Sequence, residues 1–203
     1  MEPKDNYQLQ AQQAQQRFLS YDQTKLAEKL GLKQDEQYFY VNLIDIPYRI
    51  CRKTGTQQRQ EAGQWVDANS HREVMTLLDL VCDSKAHRFL SGKWKNMTDF
   101  GLMFHRSLLE NKIDPAAEKF QQDPEGFRKA CETLDGKPFP QGDIAYSIEL
   151  FDGLAVLVQL WFGDEEFPAC LRFLWDANAL MYIKYETMYF ARSLLLQEIE
   201  SRM

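Results

Sequence analysis

The strongest constraint on the fold lies between residues 142 and 176. Ile144, Tyr146, Ile148 and Leu150 alternate with Ala145, Ser147, Glu149 and Phe151, the period of two that marks a strand. Asp152-Gly153 follows, a pair that tolerates the positive φ of a two-residue hairpin turn. Leu154 to Phe162 returns as an apolar run broken only by Gln159, which predicts a strand buried on both faces. Gly163-Asp164-Glu165-Glu166-Phe167-Pro168 forms a second, acidic turn. Ala169, Leu171, Phe173 and Trp175 then alternate with Cys170, Arg172 and Leu174. Three strands joined by short turns make an antiparallel meander over 142–175 with its middle strand central.

The rest of the chain is arranged around that meander. Residues 1–31 are predicted to be helical: Leu9, Ala11, Ala14, Phe18, Leu19, Leu26, Ala27 and Leu30 form one thin apolar stripe over residues 7–30, and Gly31 stops it. Residues 37–67 read as strands: Tyr38 to Ile44, then Tyr48 to Lys53 after an interruption at Pro47, the turn Thr54-Gly55, a polar stretch, and a short strand around Trp65. Residues 69–135 are mainly helical. Ser70 and Glu73 form a capping box ahead of the stripe Val74, Leu77, Leu78 and Val81. Residues 84–98 read as an irregular connection. Thr98 is expected to cap a helix through Phe100, Met103, Phe104 and Leu108, while Asp114-Pro115 and Asp123-Pro124 each place an N-cap before a proline at the first helical position. Residues 185–201 form a last helix. These elements predict the α+β class, and without a Gly-, Ser- or Pro-rich linker residues 1–203 are expected to be a single domain.

Charge narrows the function. The 203 residues carry 24 Lys and Arg against 30 Asp and Glu, a net charge of −6. Between Gly142 and Asp176 stand seven acids (Asp143, Glu149, Asp152, Asp164, Glu165, Glu166 and Asp176) and one base, Arg172. That stretch therefore holds the entire net charge. An acidic chain is a poor match for nucleic acid or an anionic membrane surface. No apolar run reaches the length of a membrane-spanning helix. The first residues, Met1-Glu2-Pro3-Lys4-Asp5, lack the cationic and apolar regions of a signal peptide. Cys51, Cys82, Cys131 and Cys170 are far apart and sit in apolar patterns, which predicts reduced, buried thiols in a cytoplasmic protein. There is no phosphate-binding glycine loop, nucleophile elbow or zinc-protease motif.

The run from Gly142-Asp143 through the hairpin to Gly163–Pro168, then Leu174-Trp175-Asp176, resembles an uncharacterised family catalogued as domain of unknown function 3786. Gly92-Lys93-Trp94 and the stretch from Phe127 to Gly136 share its spacing, so the resemblance covers the chain from about Tyr38 onward. The resemblance implies a cytoplasmic protein of anaerobic bacteria and archaea. Some members carry a cysteine-rich iron–sulfur module beside this domain, a pattern from which the four scattered cysteines depart. Tyr185-Glu186-Thr187 also departs from the family's Thr-Glu-Asp start to the last helix. The resemblance carries no catalytic residue over onto this chain.

The meander's topology places Asp143 beside the Asp164–Glu166 turn at one edge, with Asp176 at the opposite edge near Asp152. Asp143, Asp164, Glu165 and Glu166 are therefore the candidate ligand or metal residues. Their hard oxygens suit Mg²⁺ or Ca²⁺, and closely spaced carboxylates can form an acid/base pair. Solvated turn acids, or an acidic patch meeting a basic partner, are the other readings. His71, His87 and His105 are scattered and read as structural, and Trp161 and Trp175 as core residues. The residues leave the cofactor, if any, and the metal unknown. The leading functional expectation is a non-catalytic accessory or ligand-binding protein of anaerobic metabolism. A metal-assisted enzyme acting at the acidic edge is the alternative, and an oligomerisation module built through a sheet edge or the N-terminal helix is a third.

Overall fold

The computed structural model describes residues 6–100 and 115–203. Within them lie six α-helices and two five-stranded antiparallel sheets, the expected α+β class. The chain divides into two compact units, Met1–Phe89 with Leu180–Leu194 and Leu90–Ala179 with Leu195–Met203.

In the first unit, α1 (Asn6–Ser20) and α2 (Gln23–Leu30) pack on α3 (His71–Asp83). The sheet runs β1 (Lys33–Gln34), β2 (Tyr38–Leu43), β3 (Ile46–Cys51), β4 (Gln57–Glu61), β5 (Gln64–Asp67) in that order. Phe39, Val41, Leu43, Tyr48 and Ile50 are buried. Phe18 of α1 meets Phe39 edge-on at 6.1 Å.

The single N-terminal helix expected over 7–30 is two helices. Asp22 stands in extended conformation and its carboxylate accepts from the Thr24 and Lys25 N–H groups, so it caps a new helix. Gly31 ends that helix at φ 62° as expected. The Ser70/Glu73 capping box is also present.

Pro47 does not interrupt the sheet. Ile44 and Asp45 form a two-residue turn with φ of 52° and 56°, closed by the Leu43–Ile46 pair. Pro47 and Asn42 are then a pair without mutual backbone hydrogen bonds, and the pairing of β3 with β4 covers only Tyr48 to Ile50. The missing proline N–H therefore leaves no gap in the ladder. Ile44, read as a strand residue, holds a turn conformation that disfavours β-branched residues, and burial of its side chain offsets that cost. The polar stretch before Trp65 is β4, a strand with no apolar alternation.

In the second unit the sheet order is β6 (Trp94–Asn96), β10 (Cys170–Asp176), β9 (Leu154–Trp161), β8 (Ile144–Phe151), β7 (Lys137–Pro138). The meander β8-β9-β10 is as expected, and Asp152-Gly153 turns at φ 50° and 80°. Val156, Leu157, Val158 and Leu160 of β9 are fully buried, each side chain contributing about 1.5–3 kcal/mol. Helix α4 (Pro115–Gln122) packs on β9 and β10, and α5 (Pro124–Thr133) on β8. Phe120 and Phe127 stack at 4.8 Å between those helices. Asp123 caps α5 by accepting from Gly126 N–H, with Pro124 following it.

The expected irregular connection over 84–98 contains β6 and the start of a 3₁₀ turn, Met97–Phe100. The helix expected after Thr98, with Met103, Phe104 and Leu108, lies outside the described residues beyond Phe100, as do His105 and Asp114. The last helix is α6 (Tyr185–Glu200). Each sheet ends in very short edge strands: Lys33-Gln34 and Gln64–Asp67 in the first, Trp94–Asn96 and Lys137-Pro138 in the second.

Candidate functional site

The meander brings Asp143 to Phe162, the residue just before the acidic turn. The Asp143 carboxylate accepts from Phe162 N–H at 2.7 Å, and Asp143 N–H donates to Leu160 C=O at 3.1 Å. Asp164 folds the turn on itself: one carboxylate oxygen accepts from Glu166 and Phe167 N–H at 2.8 Å each. These donors, Phe167 foremost, hold the Asp164 carboxyl below its ordinary range. The turn is also pinned from behind by α4. Gln121 Oε1 accepts from Gly163 N–H at 2.9 Å, and Glu118 Oε1 from Ala169 N–H at 3.3 Å. Gln121 Nε2 donates to Glu118 Oε2 at 2.6 Å, so the two side chains brace each other. A Cβ on Gly163 would stand 2.6 Å from Ala169 N, which explains glycine there.

What the turn presents differs from what shapes it. Asp143 and Asp164 act on the backbone. Glu165 and Glu166 are exposed, and their carboxylates make no hydrogen bond or ion pair among the described residues. Beside them stand Trp161 at 38% exposure, Phe162 at 43% and Phe167 at 67%. Trp161, expected in the core, lies on the rim: it is the last residue of β9, paired with Cys170 of β10 but with no partner on β8. Trp175 is fully buried as expected. Among the described residues no group of three or more His, Cys, Asp or Glu side chains is arranged to hold a metal ion. The cysteines are likewise dispersed, all four as free thiols. Cys82 and Cys131 are buried, and burial pushes both thiols up to about 12. Cys51 and Cys170 are only half-buried, a correction to the expectation of four buried thiols. Among the described residues the four thiols form no cysteine cluster of the kind that holds an iron–sulfur centre or a structural zinc.

Asp176 sits at the other end of β10, as expected, but its role was not legible. It is 5% exposed. Its carboxylate accepts from Ser91 N–H at 3.0 Å, Ser91 Oγ at 2.9 Å, Gly92 N–H at 2.8 Å and Asn178 N–H at 2.8 Å. Burial alone would raise this carboxyl; the donors from Ser91, Asn178 and Gly92 outweigh it and lower it. Lys93 C=O accepts from Ala177 N–H at 2.7 Å. The Gly92-Lys93-Trp94 and Leu174-Trp175-Asp176 segments are thus one structural joint that sets β6 against β10.

Two features of the first unit escaped sequence reasoning. One is a charged network in which Asp79, almost fully buried, accepts from Arg17 and from Thr187 Oγ1. Arg17 also pairs with Asp83 at 3.2 Å, and Lys184 with Asp83 at 2.9 Å and Asp79 at 3.8 Å. Two acids and two bases tie α1, α3 and the approach to α6.

The other feature lies on the outer sheet face, where Tyr40, Arg49, Gln58 and Asp67 pair across four strands. Arg49 Nε donates to Gln58 Oε1 at 2.7 Å, and Gln58 Nε2 to Asp67 Oδ1 at 2.9 Å. The Arg49 guanidinium lies 4.2 Å from the Tyr38 ring and 4.6 Å from the Trp65 ring. Tyr40 packs against Trp65 at 6.2 Å.

Two antiparallel sheets with flanking helices define an α+β protein, with a surface turn built from acids and aromatic rings. The chain belongs to the family described as a domain of unknown function (DUF3786), whose model matches residues 22–198. No curated protein and no solved structure matches it. No helix of the described residues is long and apolar enough to cross a membrane.

Proposed function

We propose that this protein is a non-catalytic accessory protein of anaerobic metabolism in the cytoplasm, and that it works by docking a protein partner on its acidic turn. One observation carries the reading: Asp143 and Asp164 are occupied by backbone N–H groups, while Glu165, Glu166, Trp161, Phe162 and Phe167 face outward from a turn braced by Glu118 and Gln121. Exposed aromatic rings give affinity when a partner covers them, and adjacent free charges steer and select that partner. A braced turn loses little freedom on binding, which favours affinity further. The family resemblance supports the anaerobic setting.

The test is a photo-reactive phenylalanine analogue in place of Phe167, irradiated in the native host. A discrete cross-linked protein product is expected. It should disappear when Glu165→Lys and Glu166→Lys are combined. Absence of any product, or a product indifferent to charge reversal, overturns the docking reading. A turnover activity abolished by a single carboxylate change at Asp143 or Asp164 overturns the non-catalytic one.

A further inference from the structure

The docking reading leaves the partner unnamed, and the chain itself carries a surface with the complementary chemistry. The outer sheet face of the first unit holds Arg49 between the Tyr38 and Trp65 rings, with Nε fixed by Gln58. Its two Nη groups make no hydrogen bond or ion pair among the described residues. The nearby acids are occupied: Asp35 accepts from Tyr40 Oη at 2.6 Å and from Gln37 and Tyr38 N–H at 2.7 Å each, and Asp67 accepts from Gln58. A guanidinium stacked between rings is pre-oriented, so its free fork can meet a carboxylate with two parallel hydrogen bonds at small entropic cost. The half-buried Tyr38, Tyr40 and Trp65 around it supply the aromatic and arginine composition typical of interface centres.

The turn of the second unit presents the opposite set, two unpartnered carboxylates flanked by exposed aromatic rings. Charge is divided in the same sense. The first unit holds 14 basic against 13 acidic residues, the second 10 against 17.

Resting on the docking reading above, we infer that the partner is a second copy of this chain: the Glu165-Glu166-Phe167 turn of one copy seats on the Arg49 platform of another, with Glu165 or Glu166 in the guanidinium fork and Phe167 against the Tyr38 and Trp65 rings. Each copy offers a different surface, so the contact is head-to-tail. One platform and one turn remain open after the first contact, and association extends beyond a dimer unless the rotation closes a ring.

Sedimentation velocity of the purified full chain tests this. Weight-average mass is expected to rise above 23.9 kDa with concentration and to fall back in about 1 M salt, where charge pairs are screened. Arg49→Glu, and separately the Glu165→Lys, Glu166→Lys pair, should each weaken association by about tenfold or more. Far-UV circular dichroism checks that each variant remains folded. The two reversed variants should associate when mixed although neither does alone, because each then meets its complement. That rescue is a result misfolding cannot produce. A chain that stays at 23.9 kDa up to about 200 μM, or self-association indifferent to either reversal, overturns the inference. A monomeric chain whose position 167 still cross-links a different protein in the host would leave the docking reading standing while removing the second copy as its occupant.

Discussion

Asp176→Asn is the sharpest test of how the second unit is held together. The carboxylate accepts four hydrogen bonds at 2.8–3.0 Å, three from backbone N–H groups, and is 5% exposed. The amide keeps one oxygen acceptor but turns an N–H₂ toward a donor that needs an acceptor. With Oδ1 serving three donors and Oδ2 serving Gly92 N–H, the better rotamer keeps the three and opposes N–H₂ to Gly92. One charge-assisted bond is worth about 1.5–3 kcal/mol, and the remaining three weaken once the acceptor is neutral. A loss of about 2 kcal/mol is expected, rising to about 3–4 kcal/mol for Asp176→Ala, which strands all four donors. Against a typical total of about 5–15 kcal/mol this is easily measured by urea unfolding. The exposed, unpartnered Glu165→Gln is the control, expected within about 0.5 kcal/mol of wild type. Because the folded carboxyl is lowered, its stabilisation is full above the unfolded value of about 3.9 and is lost as pH falls through the folded one. The gap between wild type and Asp176→Asn should thus be constant from about pH 6 to 8 and should close in acid below about pH 4. Hydrogen exchange should quicken first at Trp94–Asn96, the strand this joint positions. An Asp176→Asn protein as stable as wild type, with the same acid limb, would refute the assignment of Asp176 as the joint's anchor.

Asp79→Asn should cost about 1–3 kcal/mol by denaturant titration, since the buried acceptor of Arg17 and Thr187 Oγ1 turns neutral while half-exposed Arg17 keeps Asp83. Gly163→Ala should lose about 1–3 kcal/mol, because its Cβ would lie 2.6 Å from Ala169 N and 3.0 Å from Phe167 O. It should also abolish the position-167 cross-link without touching a carboxylate. Timed alkylation read by mass spectrometry at pH 8 should modify Cys51 first, where hydrogen bonds from Thr54 and Lys53 outweigh partial burial and lower the thiol. Cys82 and Cys131, pushed up to about 12, should react only on unfolding. Early modification of either buried thiol would contradict that placement.

Features encoded within a few neighbouring residues were readable in advance. Asp152-Gly153, the Ser70/Glu73 box and Asp123-Pro124 each specify a local conformation through φ or a side-chain cap. The meander followed from them and from alternation, and with it the place of Asp143 beside the end of β9. Features made by pairing across long separations were not readable. Strand β4, Gln57–Glu61, is polar throughout; Gln58 holds its place by bonding Arg49 on one neighbour and Asp67 on the other. Asp176 meets donors 84 and 85 positions earlier. The Arg49 stack draws on three strands, and only the strand pairing could show that Tyr38, Arg49 and Trp65 share a face. Asp22 resembled any polar helix residue until its extended backbone showed it to be a cap.

The short outer strands have a consequence for how this chain tolerates crowding. Lys33-Gln34 and Lys137-Pro138 are two residues long and Trp94–Asn96 three, with a lysine in each and a proline that offers no N–H. Edge strands this short, with charge or proline in them, offer little to pair with, and the apolar β9 stands inside the sheet between β8 and β10. The self-association proposed above runs instead through side-chain surfaces, which salt can dissolve. A concentrated preparation should clear on adding salt instead of precipitating irreversibly.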